Sequence, residues 1–201
     1  MPLTDPFAPV LRALGPDSAG SSDFDLNPDV TLPPNRKLRD AGVLIALLDD
    51  PDGLRLVLTK RNSALKHHPG QIAFPGGKVD PGDDGPVGAA LRESREEIGL
   101  DPANVKILGA LAPHETVTSF NVTPVVGRVL RPFTPVPEAG EVDEVFTVPF
   151  AHVTDPANYQ IQSRLWRGSK RSYFVVPYGP YYIWGATARI LRALADRMTA
   201  P

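Results

Sequence analysis

The sequence predicts an α/β fold in which a mixed β-sheet is covered by helices. Apolar runs of strand length recur along the 201 residues, whereas only two or three segments have helical periodicity, and this mixture favours a layered arrangement. A hydrophobic content of 42% in a chain of this length is enough for one globular domain with a substantial core.

The chain begins with a predicted short helix and an irregular arm. The helix is Asp5–Leu14, and the residues that follow it up to position 40 are rich in Gly, Ser, Asp and Pro, which favour turns. Pro33 and Pro34 stop regular structure before the first core strand. The sequence therefore divides into an N-terminal helix and arm, residues 1–40, and a main domain, residues 41–201.

Apolar segments separated by turn residues predict the strands of the main domain. Ala41–Leu48 and Leu54–Lys60 are expected to form a hairpin, because segment 49–53 between them has turn chemistry. Further strands are predicted at Gln71–Phe74, Val105–Leu111, Val122–Leu130, Glu144–Val148, Tyr159–Trp166 and Tyr173–Val176, the last two paired across a turn at 168–170.

Two helices are predicted in the main domain, Pro86–Ile98 and Trp184–Met198. The first is closed by Gly99, a residue type that favours the left-handed conformation after a helix. One stripe of this helix is predicted to face the core: Val87, Leu91, Ser94 and Ile98.

Composition excludes several classes of site. The chain has no cysteine, which excludes disulfides, thiolate catalysis, zinc ribbons and iron–sulfur clusters. A metal site must rely mainly on oxygen ligands, which hard cations such as Mg²⁺ or Mn²⁺ prefer. A net charge of −2 gives no basic footprint for nucleic acid. Since no run has the length of a membrane span and the N-terminus lacks a signal layout, we expect a cytoplasmic protein without nucleic-acid or membrane partners.

Three carboxylates lie close together on the helix Pro86–Ile98, on an arc different from its apolar stripe. Glu93 is three and four residues before Glu96 and Glu97, so these side chains are neighbours and repel one another. A divalent cation would reverse the sign of that interaction. The alternative is a solvated acidic face paired with the arginines of the same helix.

Segment Gly77–Leu100 resembles the Nudix box, the signature of metal-dependent hydrolases that cleave phosphoanhydrides. In that family a Gly, five residues and a Glu are followed by seven residues and Arg-Glu-apolar-x-Glu-Glu-x-Gly-apolar. Here five residues separate Gly77 from Asp83, and the second half begins at Arg92 as Arg-Glu-Ser-Arg-Glu-Glu-Ile-Gly-Leu. The chain departs from the pattern in Asp83, in a spacing one residue longer, and in Ser94. The resemblance implies a Nudix-type α/β/α sandwich with a mixed β-sheet.

A second motif resembles the coenzyme A pyrophosphatase branch of the family. The pattern there is Leu-Leu-Thr-x-Arg-Ser/Ala-x3-Arg-x3-Gly-x3-Phe-Pro-Gly-Gly. Segment 57–77 matches it at Arg61 and Phe74 among others, and departs from it at Val57, Asn62 and Lys66. Lys66 keeps the positive charge but loses the bidentate fork of arginine. Segment 184–188 is also similar to that branch.

The resemblance implies roles for particular residues. Ligands of Mg²⁺ or Mn²⁺ are expected to be Glu93, Glu96, Glu97 and the Gly77 carbonyl. Arg92 is expected to orient a carboxylate, with an ordinary surface arginine as the alternative. The candidates for the general base are Glu141 and Glu144, of which Glu144 is the better, and Glu97 is a third. Substrate contacts are expected from Arg61, Lys66, His67, His68 and Phe74, with core packing as the alternative for Phe74.

The function that this branch implies is metal-dependent hydrolysis of coenzyme A or its derivatives to 4′-phosphopantetheine and adenosine 3′,5′-bisphosphate. Three alternatives stay open. The chain could act on ADP-ribose or another nucleoside diphosphate derivative, be an RNA-cap hydrolase, or be a non-catalytic Nudix-fold binding module, which typically loses the glutamates that this chain keeps. The partner is expected to be a small molecule, and the N-terminal arm could cover a sheet edge, build a homodimer contact or be disordered.

Overall fold

A nine-stranded mixed sheet forms the centre of the computed structural model, which describes residues 5–15, 19–33, 35–166 and 168–200. Its strands are β1 (Ser21–Ser22), β2 (Arg39–Leu48), β3 (Arg55–Arg61), β4 (Ile72–Ala73), β5 (Gly76–Lys78), β6 (Val105–Ala110), β7 (His114–Glu115), β8 (Phe120–Val129) and β9 (Val142–Pro149). A two-stranded hairpin is formed by β10 (Gln160–Trp166) and β11 (Ser169–Val175). The helices are α1 (Ala8–Ala13), α2 (Gly85–Ile98), α3 (Phe150–Val153) and α4 (Ala186–Thr199).

The parallel pair β2–β8 is the middle of the sheet, in register from Arg39 opposite Phe120 to Leu48 opposite Val129. Strand β2 is antiparallel to β3 and β5, and β8 is antiparallel to β6 and β7, so the sheet is mixed as predicted. The predicted hairpin of β2 and β3 is also confirmed.

Alternate residues of β2 face two different layers of helices. Ile45 and Leu47 belong to a buried cluster that includes residues of α1 and α4. Leu44 and Ala46 belong to a second cluster that includes residues of α2. Because successive side chains of a strand point to opposite faces, both faces of the sheet are covered, which confirms the predicted α/β/α sandwich.

Helix α2 ends as predicted and buries most of the predicted stripe. Gly99 adopts a left-handed conformation (φ 71°, ψ 17°) and ends the helix. Three of the four predicted positions are confirmed, because Ser94 and Ile98 are buried and the half-buried Val87 packs against the second cluster. Leu91 is half-buried and belongs to neither cluster, so its prediction is wrong. The buried side chains of α2 are Ala89, Ala90, Ser94, Glu97 and Ile98. The helix lies so close to β2 that a Cβ at Gly42 would be 1.8 Å from the Pro86 carbonyl oxygen.

The N-terminal segment is packed onto the domain. Helix α1 begins at Ala8, three residues later than predicted, and Phe7 and Val10 are buried in the main core. The short strands β1, β5 and β7 were not predicted, because two or three residues carry no periodic pattern. Residues 1–4, 16–18 and 34 of the predicted arm lie outside the described residues. Within the described ranges, no helix has both the length and the apolar character that crossing a membrane requires.

Candidate active site

Glycines at the edge of the sheet allow the carboxylates of α2 to touch the backbone of β5. At Gly76 (φ 150°) a Cβ would lie 2.4 Å from the Gly42 carbonyl oxygen, and at Gly77 it would lie 2.4 Å from Glu93 Oε1. Real Cβ atoms do not approach so closely, so a side chain at position 77 would displace the Glu93 carboxylate. The two glycines of the motif therefore shape the space that Glu93 occupies.

Glu97 is buried beneath the same edge. Its side chain is only 5% exposed, and its Oε2 accepts a hydrogen bond of 3.0 Å from the Gly76 N–H. Burial raises the pKa of Glu97 to about 7 and the Glu93 carboxylate adds to the rise, whereas the Gly76 N–H opposes it. Burial also raises the pKa of Glu93, against the lowering effect of Arg92. A cation that binds at Glu97 therefore competes with a proton for this carboxylate.

Glu141 completes a group of three carboxylates, which we call the acidic centre. Oxygen atoms of Glu93, Glu97 and Glu141 all lie within 4.8 Å of one another. Three converging carboxylate oxygens are the donor set that hard divalent cations prefer. The residues present therefore fit a Mg²⁺ or Mn²⁺ ion.

The loop that carries Glu141 is held in place by the C-terminal end of α2. The N–H groups of Val136 and Glu138 donate to the carbonyls of Ile98 and Glu97 at 3.0 and 2.9 Å. These are carbonyls that a helix leaves without an internal partner. The helix end thereby fixes a loop that lies far away in sequence, and it brings the third carboxylate to the site.

Arg92 joins the carboxylates of α2 to the loop before it. Its Nε and Nη2 donate to the two oxygens of Asp83 at 2.9 and 3.0 Å, and its Nη1 donates to Glu93 at 3.0 Å and to Glu96 at 2.9 Å. The hydrogen bond from Arg92 lowers the pKa of Asp83. The shorter, displaced carboxylate of Asp83 thus anchors Arg92, and Arg92 orients Glu93. The side chain of Glu96 is 58% exposed and held by Arg92, so the structure does not bring it into the acidic centre.

The structure separates the two candidate bases that come from the late loop and β9. Glu144 lies on β9, and its Oε1 accepts a hydrogen bond of 2.5 Å from the Tyr181 hydroxyl, which raises the pKa of Tyr181. The Tyr181 ring stacks on Phe146 with 3.5 Å between ring centroids. Glu141, and not Glu144, is therefore the residue that lies beside the buried carboxylates.

A cavity of about 460 Å³ contains most of the predicted substrate contacts. Four of the predicted residues line it, namely Lys66, His67, His68 and Phe74. Phe74 is also 5% exposed and belongs to the main core, so it packs in the core and forms the cavity wall at once.

Arg61 does not line the cavity, but its charge affects pKa values both in the cavity and in the acidic centre. Burial is the main cause that lowers the pKa of His68, and the Arg61 guanidinium adds to the lowering. The same guanidinium opposes the burial that raises the pKa of Glu97. The charge of Arg61 thus affects one group in the cavity, His68, and one in the acidic centre, Glu97.

Sequence reasoning missed the far wall of the cavity. It is formed by Asp23 and Asn27 of the arm and by Arg164 and Tyr173 of the hairpin β10–β11. The Asn27 amide donates to the Ser172 carbonyl at 2.9 Å and accepts from the Ser172 N–H at 2.8 Å, across a separation of 145 residues. A contact at that separation leaves no local pattern in the sequence.

A larger groove of about 550 Å³ lies on the outer side of α2, lined by Asp83, Leu91 and Pro102 among others. The three carboxylates of the acidic centre do not line this groove. The groove with the larger volume therefore lies apart from the carboxylates that could bind a cation.

Comparison with known proteins identifies the family of the chain. A model of the NUDIX domain matches residues 38–166. Two relatives, each described as an uncharacterized Nudix hydrolase NudL, come from Escherichia fergusonii and Escherichia coli K12. Both are 40% identical over 158 residues, which is 78% of this chain and 81% of the relative. A solved Nudix hydrolase from M. smegmatis, RenU, is 23% identical and covers 59% of this chain and 73% of its own, with a TM-score of 0.49. The chain therefore belongs to the Nudix family of hydrolases.

Proposed function

We propose that this Nudix hydrolase cleaves the pyrophosphate bond of coenzyme A or its derivatives, giving 4′-phosphopantetheine and adenosine 3′,5′-bisphosphate. The observation that carries the proposal is the position of the motif that resembles the coenzyme A branch. Lys66 and Phe74 of this motif line the cavity, and Arg61 acts on both the cavity and the acidic centre. This arrangement suits a substrate whose diphosphate lies at the carboxylates while its organic part occupies the cavity.

We propose Glu93, Glu97 and the Gly77 carbonyl as ligands of Mg²⁺ or Mn²⁺. Glu96, which Arg92 holds outside the acidic centre, would have to leave Arg92 to act as a further ligand. When bound, such cations neutralise the oxygens of the anhydride and lower the pKa of a bound water. Glu97 must lose its proton to act as a ligand, and burial raises its pKa to about 7. Cation binding at this residue is therefore expected to strengthen as the pH rises through that value.

The remaining steps are assigned to side chains of the protein. Glu141, the exposed member of the acidic centre, is assigned as the general base and not as a metal ligand, and it accepts a proton as water adds to one phosphorus of the diphosphate. The bond from that phosphorus to the bridging oxygen breaks, and the bridging oxygen leaves on the other phosphate. Arg92 orients Glu93, and Arg61 offsets negative charge between the acidic centre and the cavity.

The test is hydrolysis of coenzyme A beside ADP-ribose and NADH, with Mg²⁺ or Mn²⁺ and with a chelator. Wild type is compared with Glu97→Gln and with the control Asp52→Asn, which changes an exposed turn carboxylate far from the site. We expect metal-dependent release of adenosine 3′,5′-bisphosphate that is lost in Glu97→Gln and kept in the control.

Other outcomes decide between the alternatives. Preferential cleavage of ADP-ribose or NADH would keep the acidic centre but reject coenzyme A as the substrate. No turnover of any of the three with either metal would support a non-catalytic binding module.

A further inference from the structure

The cavity has positively charged side chains of its own, in addition to Arg61. Among the described residues that line it, the fixed cations are Lys66, Arg164 and Arg171, with the two histidines His67 and His68 beside them, and the single carboxylate is Asp23. None of the three residues of the acidic centre lines this cavity. The positive charge of the cavity therefore lies apart from the carboxylates that would handle the diphosphate.

The one carboxylate of the cavity wall is engaged by the protein. Asp23 Oδ1 lies 3.1 Å from His114 Nε2, and Asp23 Oδ2 accepts a hydrogen bond of 2.9 Å from the Val117 N–H. His114 is fully buried, and its other ring nitrogen lies 2.9 Å from the Ser21 hydroxyl. Asp23 thus fastens the arm to β7, and both of its oxygens already have partners.

The Arg164 guanidinium packs against two aromatic rings that line the cavity. Its guanidinium lies 4.5 Å from the centroid of the Trp184 ring and 5.8 Å from that of Tyr173. Packing against aromatic rings restrains the guanidinium without using its N–H groups, which leaves its edge free to donate two parallel hydrogen bonds. No ion pair links Arg164 or Lys66 to a carboxylate in the ranges that the structure describes.

We propose that Arg164, together with Lys66, binds a second phosphate of the substrate, a phosphomonoester on the nucleoside that is separate from the scissile diphosphate. This inference rests on the proposed function, since coenzyme A carries such a group as its 3′-phosphate. The dipole of α4 adds to the positive potential, because Gly185 and Thr187 at its N-terminal end line the same cavity. The subsite makes the enzyme select nucleotides with a 3′-phosphate over those that lack it, such as 3′-dephospho-coenzyme A, ADP-ribose and NADH.

Equilibrium binding tests the subsite without relying on turnover. Adenosine 3′,5′-bisphosphate and AMP are titrated by calorimetry into wild type, Arg164→Gln and the control Arg128→Gln, at one salt concentration and with a chelator. Arg128 lies over the ring of Phe7, so the control also removes an arginine stacked on an aromatic ring, outside the cavity lining. We expect wild type and control to bind the bisphosphate at least about tenfold more tightly than AMP, and Arg164→Gln to lose most of that ratio.

Kinetics with coenzyme A and 3′-dephospho-coenzyme A separate this inference from the function on which it rests. The expected result is a higher KM for the dephospho form in wild type, and a much smaller difference between the two substrates in Arg164→Gln. Equal kcat/KM for the two substrates in wild type, or a binding ratio that Arg164→Gln leaves unchanged, would overturn the phosphate subsite while leaving coenzyme A hydrolysis intact. Failure to cleave either substrate would reject the proposed function, and the binding ratio would still decide the subsite.

Discussion

The acidic centre and the cavity are built in opposite ways. The acidic centre comes mainly from one segment, residues 76–99, in which glycines and a capped helix hold Glu93 and Glu97 against the backbone of β5. The cavity is assembled from the arm, the loop 66–74, the hairpin β10–β11 and the start of α4. Its walls are joined by contacts between distant residues, such as Asn27 with Ser172. We therefore expect changes in the acidic centre to act on kcat and changes in the cavity walls to act on KM.

The largest expected effect separates two glutamates that are three residues apart. Glu141→Gln should lower kcat by about 100- to 1000-fold, because a positioned base contributes on that order. Glu144→Gln keeps an acceptor for the Tyr181 hydroxyl and should lower kcat by less than about tenfold. Steady-state kinetics of both variants measures the difference, and a larger loss in Glu144→Gln would reverse the assignment of the base.

A glycine substitution should damage the acidic centre while sparing the fold. Gly77→Ala places a Cβ against the flexible end of Glu93, so we expect the carboxylate to move and kcat to fall by about 10- to 100-fold. The midpoint of thermal unfolding should change little, because the added methyl group displaces the end of the Glu93 side chain and leaves the backbone in place. Gly15→Ala, where the nearest atom is at 3.5 Å, is the matched control. A Gly77→Ala protein that unfolds early but keeps its kcat would refute this explanation.

The raised pKa of Glu97 predicts how stability depends on pH in the metal-free protein. A carboxyl whose pKa is raised on folding contributes stability below its unfolded pKa of about 4.5, and this contribution is lost as the pH rises through about 7. Gln resembles the protonated form and keeps an acceptor for the Gly76 N–H. Glu97→Gln should therefore be more stable than wild type by about 1–3 kcal/mol at pH 8.5, and by much less at pH 5. Urea unfolding with a chelator at both pH values measures this, and a pH-independent difference would contradict it.

The smallest expected effect concerns the link between the arm and the hairpin. Asn27→Ala removes both hydrogen bonds to Ser172 and should raise KM by about three- to tenfold with little change in kcat, because the far wall loosens. Asn158→Ala, which removes an amide bonded to the His152 carbonyl outside the cavity lining, is the control. A fall in kcat without a change in KM would show that the two regions are not independent.

The same contrast explains which parts of the molecule could be predicted from sequence. Periodicity and turn residues predicted the central strands, α2 and α4, and the local spacing of Glu93 and Glu97 predicted a cation site. The spacing allowed Glu96 to be either a metal ligand or a solvated partner of Arg92. It could not decide between them, because the position of Arg92 depends on its hydrogen bonds to Asp83. The helical wheel placed Val87, Ser94 and Ile98 correctly, but it could not show that Leu91 lines a groove on the outer side of α2.

Residues that reach the site from far away in sequence were harder to predict. Glu141 was recognised as a candidate, but its preference over Glu144 depends on a loop fixed by the end of α2. Asp23 and Arg164 were missed because the arm and the hairpin meet at the cavity only through tertiary contacts.

The acidic centre is proposed to be a site for divalent cations, and its cation affinity can be measured directly. Calorimetric titration of Mn²⁺ into wild type, Glu97→Gln and Asp52→Asn at pH 8 tests this without any substrate. We predict that wild type and Asp52→Asn bind Mn²⁺ with equal affinity and that Glu97→Gln loses at least about tenfold, because it removes a charged ligand. An unchanged affinity in Glu97→Gln would contradict the account and place the cation elsewhere.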